Sequence, residues 1–179
     1  MRRHARRMSA SNARLLLAAA ALLAGGSCAR KGADAPPVRE NPRYVSWATL
    51  ETDKLATVWL LQRVVAPHAE FVFVPKHTLV TNGIAFDTPD AELRRSHSLS
   101  CFQSVLRKHA IRDPVLQYIG RLTHDIEVNH WAQKRYPESA GLEARIRELI
   151  ATYGADPQVC VAHALPVFDA LRARLRDKK

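Results

Sequence analysis

The sequence predicts an α+β domain, mostly helical, with a small sheet near its N-terminal end. Three observations lead there. Residues 53–65 are apolar around nearly the whole helical circumference, with Leu55, Val58, Trp59 and Val65 on one side and Leu60, Leu61 and Val64 on the other. Shortly after Pro67, beyond His68 and Ala69, comes Glu70-Phe71-Val72-Phe73-Val74-Pro75, a short run of strand formers closed by a second proline. From Cys101 onward helical spacing replaces strand signals, punctuated by two Asp-Pro pairs, each an N-cap followed by a proline at the first helical position.

In chain order, the first 27 residues stand apart. Arg2, Arg3, Arg6, Arg7 and Arg14 precede an unbroken apolar run, residues 15–26, and no acid occurs among them. That is the three-part form of an export signal. The run is shorter than the roughly 20 residues that span a bilayer. It ends in Gly25-Gly26-Ser27-Cys28, a small-small-Cys ending that resembles the lipobox of bacterial lipoproteins and makes Cys28 the candidate lipidation site. Residues 28–42 are polar and rich in proline and small residues, and read as a flexible tether. The folded domain is placed at 43–179.

Cleavage of such a signal changes the charge argument. The whole chain carries a formal +10, and loss of the five arginines leaves 22 basic residues against 17 acidic, a net +5. Half of the basicity is targeting, and nucleic acid is not indicated as a partner. Beyond Cys28 only Cys101 and Cys160 remain; they can pair in an oxidising compartment, but two separate buried thiols are expected.

Within the domain, Tyr44, Val45 and Trp47 give a first short strand. The apolar helix of 53–65 follows, then the Glu70–Val74 strand. Asn82-Gly83 marks a turn before a third strand candidate at 84–86. Residues 87–100 form a polar loop. A helix begins near Cys101, with Phe102, Val105 and Leu106 on one face. Asp113-Pro114 starts the next, with Val115, Leu116, Ile119, Leu122 and Ile126 at helical spacing. Residues 129–139 read as a polar connection. Residues 141–154 are amphipathic, stopped by Gly154. Asp156-Pro157 opens the last helix, which runs to about Arg176 and is expected to bend at Pro166.

Three polar clusters can carry chemistry. The first is Asp53, Lys54, Thr57 and Arg63 on the apolar helix: either a small pocket for an anion or a metal, or an aspartate favoured by the helix dipole beside an exposed lysine. The second is Glu92, Arg94, Arg95, His97 and Cys101, arginine forks suited to oxyanions next to two metal-ligand types four residues apart. The third is His124, Asp125 and Glu127, a histidine with neighbouring carboxylates. A phosphate-cradling glycine loop, HExxH, CxxC pairs and a nucleophile elbow are all missing from the sequence.

With those residues in place, residues 47–175 resemble the chromate-resistance domain at the C-terminal end of ChrB-type proteins, also described as a chromate resistance exported protein family. Asp53-Lys54-Leu55-Ala56 with Trp59-Leu60-Leu61 and Arg63 is similar to its helical signature, and Ala69 to Pro75 to its strand. Phe86-Asp87, Ala91-Glu92-Leu93, His124-Asp125-Ile126 and Pro137-Glu138 with Gly141 follow in the same order. This chain departs at Thr57-Val58, where the family often has Cys-Pro. It departs again where the family's His and Cys fall on Arg95 and Ser100, with His97 and Cys101 close by but out of register.

The resemblance implies an exported chromate-resistance protein that binds or senses chromate or a related oxyanion in the periplasm or as a membrane-anchored lipoprotein. Lys54, Arg63 and Arg95 are the expected oxyanion ligands, and an envelope transporter is a candidate partner. The competing reading is a metal- or redox-dependent envelope enzyme using His97, Cys101, His124, Asp125 and Glu127, with a metal ion as cofactor. Either reading expects Lys54 and Arg63 to open onto one cavity shared with the His124 region.

Overall fold

The computed structural model describes residues 41–129 and 133–178. The expected export signal and the expected tether up to residue 40, with Cys28, and residues 130–132 lie outside the described residues. Among the described residues the chain forms three strands, five α-helices and one π-helical turn. The strands and α-helices are β1 (Arg43–Trp47), α1 (Thr52–Leu60), β2 (Glu70–Val74), β3 (Ile84–Ala85), α2 (Cys101–Lys108), α3 (Pro114–Glu127), α4 (Pro137–Tyr153) and α5 (Pro157–Asp177).

The sheet has the order β2-β1-β3 and is parallel throughout. β1 pairs β2 in register from Arg43 opposite Glu70 to Trp47 opposite Val74. A parallel pair needs a crossover, and α1 supplies it. Tyr44 stacks on Phe71 at 5.6 Å and meets Phe86 edge-on at 6.2 Å, so the sheet's aromatic face joins the core. Gly83, at φ 130°, is required before β3: a side chain there would strike the Arg43 carbonyl of β1.

All nine residues of α1 are buried, as an all-round apolar helix demands. The sequence predicts one helix to Val65, but α-geometry stops at Leu60 and Leu61–Val65 is a π-helical turn, closed by the Ala66 N–H on the Leu61 carbonyl at 2.7 Å. Pro67, which has no N–H to donate back, ends it. Trp59, fully buried, lies between Phe102 and Phe168, and its Nε1 donates to Asp169 on α5 at 2.8 Å. Arg63 donates to the same carboxylate from Nε at 3.2 Å and from a terminal nitrogen at 3.0 Å. The two donors differ in burial. Asp169→Ala strands the indole N–H and is expected to cost about 1–3 kcal/mol. Arg63→Ala removes a side chain 41% exposed and is expected to cost under about 1 kcal/mol. Urea unfolding of both variants checks the order.

The caps explain the helix starts. Asp113 accepts from the N–H groups of Val115 and Leu116, and Asp156 from those of Gln158 and Val159. Ser100 and Gln103 form a capping box on α2. α4 begins at Pro137, earlier than expected, with the proline in its first turn and Ser139 buried; that end of the connection is helical. α5 runs through Pro166 without interruption.

Candidate functional site

The two faces of the α1 N-terminus carry two buried charges. Lys54, only 2% exposed, runs back beneath the chain leaving β1. Its ammonium donates to the carbonyls of Trp47 at 2.7 Å and Thr49 at 2.6 Å, and faces the Asp87 carboxylate at 3.6 Å. Asp53 does not serve its own helix. It accepts from the Cys101 and Phe102 N–H groups, at 2.5 and 2.9 Å, and so caps α2 from a different segment. Neither residue fits the surface picture of a dipole-favoured aspartate beside a solvated lysine.

Arg95 ties the cluster together. Its guanidinium bonds Glu51, stands 3.8 Å from Asp53 and reaches Glu127 on α3 at 3.6 Å. Glu127 in turn accepts the Thr52 N–H at 2.8 Å, anchoring the start of α1. Burial governs the electrostatics. Desolvation, reinforced by the neighbouring Asp87 charge, pushes Asp53 up to about 7, against the opposing pull of its two N–H donors and Arg95. Desolvation also raises Asp87 to about 6, despite Lys54. It holds Lys54 below the usual lysine range. The carboxylates around Arg95 keep its guanidinium firmly charged although burial opposes this.

Above this network is a cavity of about 230 Å³, lined among others by Lys54, Lys76, Arg94 and Arg95 and by Glu51 and Asp87. It is smaller than the roughly 300–1,000 Å³ of pockets for drug-sized ligands. Its lining is that of an ion site: four cationic and two carboxylate side chains, with the Lys54 ammonium already turned to the Trp47 and Thr49 carbonyls and Asp87.

The structure therefore brings Lys54 and Arg95 to one cavity, but not Arg63. Arg63 sits nine residues along from Lys54, about 13 Å of helix away, and its guanidinium is engaged by Asp169. His124 and Asp125 line a separate cavity of about 180 Å³ with Arg121 and Arg135. The single cavity shared by Lys54, Arg63 and His124 is not formed; the link to α3 runs through Glu127 instead.

The proposed metal ligands do not assemble either. His97 is exposed on its loop, whereas Cys101 is buried in the first turn of α2, its thiol donating to the Leu93 carbonyl at 3.3 Å and pushed well above its usual range by burial. Asp125 is committed to Asn129 and to the Arg135 and Tyr136 N–H groups. No group of three or more His, Cys, Asp or Glu side chains among the described residues is arranged to hold a metal ion. Cys101 and Cys160 are separate buried thiols.

Sequence reasoning missed Glu51, Lys76 and Asp87 as lining residues. Asp87 had a signal, since it falls in the Phe86-Asp87 pair; Glu51 and Lys76 lie in irregular segments with no periodicity to mark them. A family model described as ChrB, C-terminal domain matches residues 44–175, which contains every residue of this cavity. No curated protein and no solved structure matches the chain.

Proposed function

The chain belongs to the ChrB C-terminal domain family, whose function is related to chromate resistance, and from that premise we propose that it is an exported chromate-resistance protein binding chromate-like oxyanions in the Lys54–Arg95 cavity. One observation carries the reading: four cationic side chains, Lys54, Lys76, Arg94 and Arg95, converge on one small polar cavity. Arg95 is held by three carboxylates, one at each guanidinium nitrogen, and lines the cavity as a fixed positive charge. Lys76 and Arg94 are exposed and are the charges an arriving anion meets first. The basic and apolar sequence of residues 1–27 supports export, and Cys28 supports a lipid anchor holding the domain at the envelope, within reach of a transporter.

Isothermal titration of the folded domain with chromate tests this. Chromate releases or absorbs heat with one-to-one stoichiometry, and Lys76→Ala weakens binding about ten-fold, the value of one charge-assisted contact. Lys76 is exposed, so its loss leaves the fold intact. Folded protein that gives no heat with chromate refutes the proposal.

A further inference from the structure

The cavity has an uncommon charge balance for an anion site. Lys54, Lys76, Arg94 and Arg95 face it, but Glu51 and Asp87 do too, and the Arg95 guanidinium is also shared with Asp53 and Glu127. Four cations thus meet four carboxylates, and the set is near neutral before any ligand enters. A fully ionised dianion has only negative charge to offer the carboxylate oxygens on the wall. An oxyanion that keeps a proton offers what that dianion lacks: its O–H donates a hydrogen bond that a carboxylate accepts.

Asp87 is the carboxylate placed to accept it. It lines the cavity with a side chain only 9% exposed. Its backbone sits in the left-handed region, at φ 49°, with its N–H tied to the Leu93 carbonyl at 2.7 Å. That conformation is unfavourable for most non-glycine residues, and aspartate is among those that tolerate it. Its ion-pair partner Lys54 stands 3.6 Å away, longer than a hydrogen bond, because the ammonium is drawn to the Trp47 and Thr49 carbonyls. The carboxylate therefore keeps acceptor capacity on the cavity side. The charged and titratable groups around it are Lys54 and Asp53 of α1, Glu51 before it, Arg95 of the loop, Cys101 of α2 and Glu127 of α3.

We propose that Asp87 makes this cavity selective for tetrahedral oxyanions that carry a proton, hydrogen chromate or hydrogen phosphate, over sulfate, by accepting the ligand's O–H. The inference rests on the oxyanion reading above and assigns its specificity. Chromate and phosphate oxygens are basic enough to hold a proton near neutral pH, and the ligand and Asp87 then share it. Sulfate brings none, so it enters only when Asp87 has taken a proton from solvent. Burial has already raised Asp87 to about 6, which makes that route open to sulfate in mild acid and progressively closed above it.

The test is titration of the folded domain with chromate, phosphate and sulfate. At about pH 7.5, chromate and phosphate bind roughly ten-fold or more tighter than sulfate. In Asp87→Asn the amide donates to any oxyanion, sulfate binding tightens, and the gap closes to within about three-fold. Should that variant not fold, the wild-type profile decides: sulfate affinity rises about ten-fold from about pH 7.5 to about pH 5.5 while phosphate affinity changes less. Equal affinity for all three anions in the wild type, or a preference that survives in folded Asp87→Asn, overturns the inference and leaves the oxyanion reading standing. Silence with all three anions removes both.

Discussion

Lys54→Met is expected to destabilise the domain by about 3–5 kcal/mol, the cost of breaking a buried ion pair from one side. Methionine keeps the length and apolar stem of the lysine, so packing changes little. What goes is the ammonium. The Trp47 and Thr49 carbonyls lose a donor at 2.7 and 2.6 Å, and Asp87 is left in a wall that already holds Glu51 and, through Arg95, Asp53 and Glu127. The shifts on the two partners agree about the balance: Lys54 is held low and Asp87 high, so desolvation outweighs the attraction on both sides. The pair is thus maintained against its own solvation, which suits a site better than a scaffold. It follows that removing both members costs less than removing one. Lys54→Met with Asp87→Asn is expected to recover at least half of the loss, and a double-mutant cycle from urea unfolding reads the coupling directly. A single-variant cost below about 1 kcal/mol, the value of an exposed pair, would show that Lys54 is not held as described.

The helices were legible because their signals are local. The all-round apolar helix announces burial, and the Asp-Pro pairs announce starts, since the cap and the first turn are adjacent in sequence. The first turn of α4 is hidden because Pro137-Glu138-Ser139 is polar like the loop before it, although Pro137 suits a first helical turn. The parallel sheet was not legible: strand order depends on where the chain returns after α1, and a two-residue β3 has no pattern of its own.

The site divides on the same principle. Lys54 and Arg95 are expected oxyanion ligands from the family resemblance and their charge, and the fold places both on one cavity. Arg63 belongs with Lys54 among the few polar residues of an apolar helix, yet nine residues separate them, and helical rise alone puts Arg63 at the other end. His97 and Cys101 are four apart, a spacing that brings side chains together only on a helix. Here α2 starts at Cys101, so the two never share a face. Asp53 shows the limit most clearly. Its helix position suggests a dipole role on α1, but its acceptors are used by the N–H groups of Cys101 and Phe102, more than forty residues away. A contact of that range leaves no trace in local pattern.

That long-range cap sets the pH dependence. Asp53 is fully buried and raised to about 7, and Asp87 is raised to about 6, from an ordinary value of 3.8. Between about pH 4 and pH 7 the folded protein therefore holds protons that the unfolded chain has released, and stability falls as pH rises through that window. For Asp53 alone the loss is on the order of 4 kcal/mol. At the acid end the sign reverses, because Asp113, Asp125 and Asp169 are held below the usual carboxylate range by hydrogen-bond donors and arginines, and they lose their contribution when protonated. The melting temperature is accordingly expected to peak near pH 4–5 and to drop by roughly 10 °C or more by about pH 8. Asp53→Asn keeps an oxygen to accept from α2 but cannot ionise, so its profile is expected to be distinctly flatter between about pH 5 and pH 8. Thermal melts of both proteins across that range decide the matter: a wild-type melting temperature that rises from pH 5 to pH 8 would mean that Asp53 is stabilised as an anion. The N–H groups of Cys101 and Phe102, with Arg95, would then outweigh burial at this carboxylate.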